Sequence, residues 1–143
     1  MTIREMTLED LAQVMAIERE NFSVPWTENG FFSFLIRQDT LFLAAEEDGE
    51  IAGYCGAVLV PDEGDITNVS VASDWRRQGV GTLLVRELIR RAGEAGVTKL
   101  YLEVRAGNQA AIGLYEKLGF QKDGLRRDYY EEPREDAVLM SRK

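Results

Sequence analysis

Apolar residues along the chain switch repeatedly between the spacing of a strand and that of a helix. Ile3 to Met6 predicts a short strand, and Thr7-Leu8-Glu9-Asp10 is a capping-box variant that opens a helix. That helix carries Leu11, Val14, Met15 and Phe22 on its apolar side, until Pro25 and Trp26 interrupt it. A second helix follows from about Glu28 to Arg37, presenting Phe31, Phe34 and Leu35. Thr40 to Glu46 then reads as a strand, Asp48-Gly49 as a hairpin turn and Ile51 to Val60 as a nearly all-apolar strand. A run of that kind is buried on both faces, which places it centrally in a sheet covered by helices.

Asp65 to Val71 is a further strand, and Val80 to about Ala95 an amphipathic helix with Val80, Leu84, Val85, Leu88, Ile89 and Ala92 along one stripe. Leu100 to Arg105 forms another strand. Asn108 to Leu118 forms another helix, with Asn108 as N-cap and Gly119 as its stop. Two last strands run from about Gln121 to Tyr130 and from Ala137 to Ser141. The order β-α-α-β-β-β-α-β-α-β-β predicts an α/β fold: a mixed sheet of about seven strands with helices on both faces. No repeat, linker or low-complexity segment divides residues 1–143, so a single domain is expected.

Composition narrows the chemistry. The 143 residues include no histidine and one cysteine, Cys55. Ser-His-Asp and Cys-His nucleophile systems, histidine-ligated zinc and intrachain disulfides are thereby excluded, and no metal is expected. Acid–base work at neutral pH falls to carboxylates, tyrosine, lysine, Cys55 or a terminus. Seventeen basic and twenty-five acidic residues give a net charge of −8, which disfavours nucleic acid and anionic membranes as partners. The first residues lack the apolar core of a signal peptide, no run of about 20 apolar residues could span a bilayer, and the lone Cys55 suits a reducing compartment. A cytoplasmic location is expected.

The segment Trp75-Arg76-Arg77-Gln78-Gly79-Val80-Gly81-Thr82 lies between a strand and a long helix. Its glycines leave backbone amides unobstructed at a helix N-terminus, where those donors and the helix dipole favour an anion, and Arg76 and Arg77 stand beside them. A phosphate-bearing ligand fits; a tight turn with a solvated arginine pair is the plainer alternative. No Lys-Ser/Thr follows the glycines as a P-loop needs, and Leu84 stands where a dinucleotide fingerprint needs a third glycine.

Arg76-x-x-Gly79-x-Gly81 matches the signature of the GNAT superfamily of N-acetyltransferases, and the element order resembles their fold. The resemblance implies that Arg76, Arg77, Gln78, Gly79, Val80, Gly81 and Thr82 hold the pyrophosphate of acetyl-CoA. It implies also that Asn68-Val69-Ser70-Val71 carries a bulge splaying it from the next parallel strand. Val69, Ser70 and Val71 would then bind the pantetheine arm through backbone groups, although the side chains of Val69 and Val71 also read as plain core. Within Tyr101 to Arg105, Leu102 and Val104 share one face and Glu103 takes the other. A glutamate inside such a strand is either paired, for example with Arg105, or a general base: an α-ammonium of pKa about 8 needs only modest help to lose its proton. Tyr115, on the face formed with Ala111, Leu114 and Leu118, is either core or the donor to a departing CoA sulfur.

The run Leu102-Glu103-Val104-Arg105-Ala106-x-Asn108-x-x-Ala111-Ile112-x-Leu114-Tyr115-x-x-Leu118-Gly119-Phe120 is closely similar to the RimI-type ribosomal-protein-alanine N-acetyltransferases. So are Pro25-Trp26, Arg126-Arg127-Asp128-Tyr129-Tyr130 and Glu135 to Met140. By that resemblance Glu103 is the general base, Tyr115 the general acid and Asn108 a cofactor contact. The partners are then acetyl-CoA and a protein N-terminal α-amine, most often of alanine in a ribosomal protein. Asp128 replaces the asparagine more usual in that string, which bears on acceptor choice. Acetylation of lysines or small amines, and a CoA-binding regulatory module without turnover, are the alternatives. Asp62, Glu63 and Asp65, with Glu131, Glu132 and Glu135, could attract a basic peptide or form a solvated acidic surface. Cys55 reads as inert packing.

Overall fold

The computed structural model describes all residues, Met1 to Lys143. The strands are β1 (Thr2–Glu5), β2 (Thr40–Glu47), β3 (Glu50–Val60), β4 (Glu63–Val71), β5 (Lys99–Arg105), β6 (Gln121–Glu131) and β7 (Arg134–Arg142). The helices are α1 (Leu11–Asn21), α2 (Glu28–Leu35), α3 (Val80–Glu94) and α4 (Gln109–Lys117). The sheet order is β1-β2-β3-β4-β5-β7-β6, antiparallel throughout except for β4 and β5, which α3 joins by a crossover.

The expected order and the seven strands are present, with ends shifted by one to three residues. Two local expectations change. Thr7 to Asp10 opens a short 3-10 turn before α1, because Asp10 folds back to accept from the Thr7 N–H and to bind the Arg4 guanidinium. Phe22 is not on the apolar side of α1: the helix has ended, Phe22 is extended, and its side chain is exposed.

Alternation along the central strands sorts the core into two layers. Leu43, Ala45, Cys55, Ala57 and Ile66 face α3 and α4, packing on Leu84, Val85, Leu88 and Ile112. Phe42, Ala44 and Tyr54 face α1 and α2, packing on Val14, Met15 and Phe31. Complete burial of Leu84 or Leu88 contributes about 1.5–3 kcal/mol each. Cys55 is wholly enclosed beneath α3, and burial pushes its thiol well above the ordinary range, so it is packed and unreactive. No helix is long and apolar enough to cross a membrane.

The second layer is aromatic. Trp26 lies 4.9 Å from both Phe31 and Phe34, and Phe31 meets Tyr54 edge-on at 5.7 Å. Gly56 on β3 makes room for this cluster, since a Cβ there would stand 2.1 Å from the Phe42 ring. Phe42 is itself buried and cannot swing aside. Gly56→Ala is therefore expected to destabilise the fold by about 1–3 kcal/mol, read as a lower urea midpoint with unchanged slope. An unchanged midpoint would contradict the packing described.

Candidate active site

β4 and β5 pair over only three residues, Glu63 to Asp65 against Lys99 to Tyr101, and then diverge. The cause lies on the other edge of β4. Gly56 of β3 pairs with Asn68 and Ala57 with Ile66, so Thr67 is an extra residue in β4. Such a bulge bends its strand and increases the local twist. It sits one residue before the Asn68–Val71 segment where it was expected. Beyond it, a cleft of about 1020 Å³ opens between the strands, reached by Val69, Ser70, Val71, Glu103, Asn108 and Tyr115.

Glu103 and Tyr115 enter this cleft from opposite sides of the sheet. Leu102 and Val104 pack toward α3 and α4, so the alternation of β5 turns Glu103 to the α1 and α2 side. Its side chain keeps 35% of its exposure, and one oxygen lies 4.0 Å from Arg126 Nη1. The expected partner Arg105 does not take it. Arg105 bonds instead to the carbonyls of Glu132 and Pro133 and to Glu135, and its guanidinium lies 4.2 Å over the Tyr130 ring. The Tyr129 phenol is held above its ordinary pKa chiefly by the neighbouring Glu103 carboxylate. Tyr115 comes from α4, edge-on to Phe120 at 5.7 Å and 7% exposed. Burial, with smaller contributions from Cys55 and Tyr130, pushes its phenol well above the ordinary value. Tyr115 is thus at once part of the core and part of the cleft wall.

At the other end, the loop before α3 turns on two left-handed residues, Arg77 with φ 64° and Gly79 with φ 82°. Gly79 is the N-cap and supplies no side chain, so the first-turn amides of α3 have no side-chain cap. Arg76 reaches back to the Asn21 side-chain carbonyl, and Gln78 donates to the Asp74 carbonyl at 3.1 Å. Of the expected loop residues, Arg76 and Gly81 line the cleft; Arg77, Gln78, Gly79, Val80 and Thr82 do not, and Val80 is buried in the core. Asn108 caps α4 by accepting from the Ala111 N–H at 3.2 Å and also reaches the cleft.

A second cleft of about 760 Å³ opens beside the first and is walled by Trp26, Asp65, Asp123 and Arg126. The two share Thr67, Glu103, Tyr129 and Tyr130. Two molecules entering from different directions would therefore meet at Glu103. Trp26 is fixed there by the fully buried Glu18, which accepts from the Trp26 N–H at 2.9 Å and from the Tyr54 hydroxyl. Asp65 is held above the usual carboxylate range by burial and by the Glu103 charge. Asp62, Glu63, Glu131, Glu132 and Glu135 are not in this wall; Glu135 is used by Arg105 and by the Gly107 N–H.

Contributors not anticipated in these places include Thr67, Asn68, Asn21 and Glu18, and Arg105, which was expected only as a partner of Glu103. Asn21 donates to Ser70 Oγ at 2.5 Å and to the Val71 carbonyl at 2.9 Å, tying the end of α1 to the splayed strand. Asn68 had a visible signal, a carboxamide between Ile66 and Val69 in a strand, where asparagine is disfavoured. No group of three or more histidines, cysteines and carboxylates is placed to hold a metal ion.

A sheet that parts between two parallel strands, with uncapped helix amides at one end and a carboxylate and a phenol at the other, defines an acyl-transfer fold. The signature of the Acetyltransferase (GNAT) family spans residues 11–120, and the chain belongs to that family. It is 38% identical to the [ribosomal protein bS18]-alanine N-acetyltransferase of Escherichia coli (strain K12), over 98% of this chain and 95% of that protein. A Bacillus subtilis (strain 168) relative, 40% identical over 96% of this chain and 92% of its own length, carries the same name provisionally. The crystal structure of the Escherichia coli ribosomal-protein-S18-alanine N-acetyltransferase superposes with a TM-score of 0.91, covering 99% of this chain and 92% of that one.

Arg105 anchors the tip of the β6–β7 hairpin over the cleft, where Ser23 of the α1–α2 connection also reaches the Glu132 carbonyl. Arg105→Met is expected to accelerate tryptic cleavage after Arg134 by about tenfold or more while leaving the thermal midpoint nearly unchanged. Unaltered cleavage would show that the hairpin is held by something else.

Proposed function

We propose that this acetyltransferase moves the acetyl group of acetyl-CoA to the α-amine of a protein N-terminus, with an N-terminal alanine of a ribosomal protein as acceptor. The observation that carries the reading is the meeting of two clefts at Glu103, one leading to the glycine loop and the other to open surface. The names of the relatives at 38–40% identity support the acceptor.

The residues present fit acetyl-CoA. Its pyrophosphate would lie on the amides of Gly79 to Thr82, with Arg76 and Arg77 beside them and Gln78 in the turn. Its pantetheine arm would follow Val69, Ser70 and Val71 beyond the end of the β4–β5 ladder, where Asn21 already takes the Val71 carbonyl, and would pass Asn108. The thioester carbonyl would be polarised by a backbone N–H in Val69 to Val71.

Glu103, directly or through one water, takes a proton from the acceptor ammonium. The amine lone pair then attacks the carbonyl carbon, forming the C–N bond and a tetrahedral oxyanion. Collapse of that oxyanion breaks the C–S bond. Of the two protons the nitrogen loses, one reaches solvent through Glu103 and the other balances the proton that Tyr115 gives to the departing thiolate. Both proton demands are modest, an ammonium with a pKa of about 8 and a thiol of about 8.5, so histidine is not needed.

The reading is tested with a peptide bearing a free N-terminal alanine, followed by mass spectrometry of the product. One added acetyl group on the α-amine is expected, and none on the N-terminally blocked peptide. Acetylation confined to lysine would overturn the acceptor assignment. Glu103→Gln and Tyr115→Phe are each expected to lower kcat by about 10²–10⁴ with acetyl-CoA still bound. Near-normal kcat in both would remove their assigned roles. Because burial raises the Tyr115 pKa above its ordinary 10.0, its acid form persists as pH rises, and kcat should not fall between pH 8 and 10. A fall in that range that Tyr115→Phe abolishes would contradict the role.

A further inference from the structure

Asn68 is 7% exposed, and its Oδ1 atom is buried without any hydrogen-bond partner; no other buried side-chain nitrogen or oxygen is left so. An orphaned buried acceptor costs stability, so one that a native structure retains calls for an explanation, a functional role at a site among them. Its position says which ligand. Asn68 follows the bulge residue Thr67, at the level where β4 has parted from β5, and it lines the larger cleft. Val69 and Val71 pack toward α3 and α4, so alternation turns Asn68 to the other face, the one that Glu103 occupies across the gap. Its strand neighbour on that face, Ser70, is already taken by Asn21. The terminal bond of a carboxamide has a broad, two-fold torsion, so a half-turn exchanges Oδ1 with the accessible Nδ2 group and presents the oxygen to the cleft when an N–H donor occupies it.

We propose that the Asn68 carboxamide accepts one N–H of the acceptor's primary amine while Glu103 serves another, an inference that rests on the N-terminal acetyltransferase reading above. A neutral primary amine has two hydrogens and one lone pair. Two acceptors on the same face of the gap hold both hydrogens and leave the lone pair aimed at the thioester carbon. A secondary amine has one hydrogen, and its extra methyl group would meet Asn68 instead. Asn68 thereby selects primary over N-methylated amines, which the Glu103–Tyr115 pair alone does not.

The test compares an N-terminal alanyl peptide with its N-methylalanyl counterpart, using wild-type enzyme and Asn68→Ala. The wild type should prefer the alanyl peptide. Asn68→Ala should lose about tenfold in kcat/KM on the alanyl peptide and little on the methylated one, with acetyl-CoA affinity unchanged. The ratio of the two rates does not depend on how much of the variant is folded. Equal losses on both peptides, or weakened acetyl-CoA binding, would overturn the proposal. Asn68→Leu supplies a second readout: removing an orphaned acceptor should leave the thermal midpoint equal or higher, whereas a structural asparagine would lower it. If the wild type acetylates only lysine, the N-terminal reading fails, and the same comparison between lysine and Nε-methyllysine decides Asn68 separately.

Discussion

The parallel ladder between β4 and β5 stops after three residue pairs, and the chemistry of the molecule follows from that interruption. In an unbroken parallel sheet each strand's polar backbone groups are consumed by its neighbours. Thr67, inserted against β3, bends β4 away and releases the residues after it from pairing with β5. The separation does not collapse because other contacts hold each side. Asn21 ties Ser70 and the Val71 carbonyl to α1, and β7 pairs with β5 along its length, from Leu100 to Arg105. The gap is thus a built feature of a rigid sheet, open to both helical layers.

In the proposed mechanism, opening the sheet from face to face also divides the proton chemistry between two environments. Glu103 stands on the α1 and α2 side among Tyr129, Arg126 and solvent, where a carboxylate can exchange protons with water. Tyr115 comes from the α3 and α4 side, where burial keeps its phenol protonated. On the roles proposed above, the base that must release protons is wet and the acid that must retain one is dry. In that reading a chain with no histidine can serve two proton transfers.

Much of this was legible in the sequence, and what was not has a physical reason. Element order followed from hydrophobic period, and Glu103 was conspicuous as a charge inside a strand. Asn68 carried the same kind of anomaly, but only its unsatisfied oxygen distinguishes a binding group from a tolerated core amide. The bulge at Thr67 depends on the register of β3, a long-range pairing that no local pattern encodes. Arg105 looked like a partner for Glu103 two residues away. It is taken instead by the carbonyls of the β6–β7 hairpin tip, nearly thirty residues further along the chain. Trp26 was visible as a helix breaker, and its place in the wall of the second cleft depends on the buried Glu18 one helix earlier.

In the proposed function, acetyl-CoA completes the unpaired edge of β4. Hydrogen–deuterium exchange, followed residue by residue with and without acetyl-CoA, reads that edge directly. The β5-facing amides between Ile66 and Val71 should exchange rapidly in the free protein and become protected on binding, together with those of Gly79 to Thr82. Protection at the glycine loop with no change along β4 would contradict it.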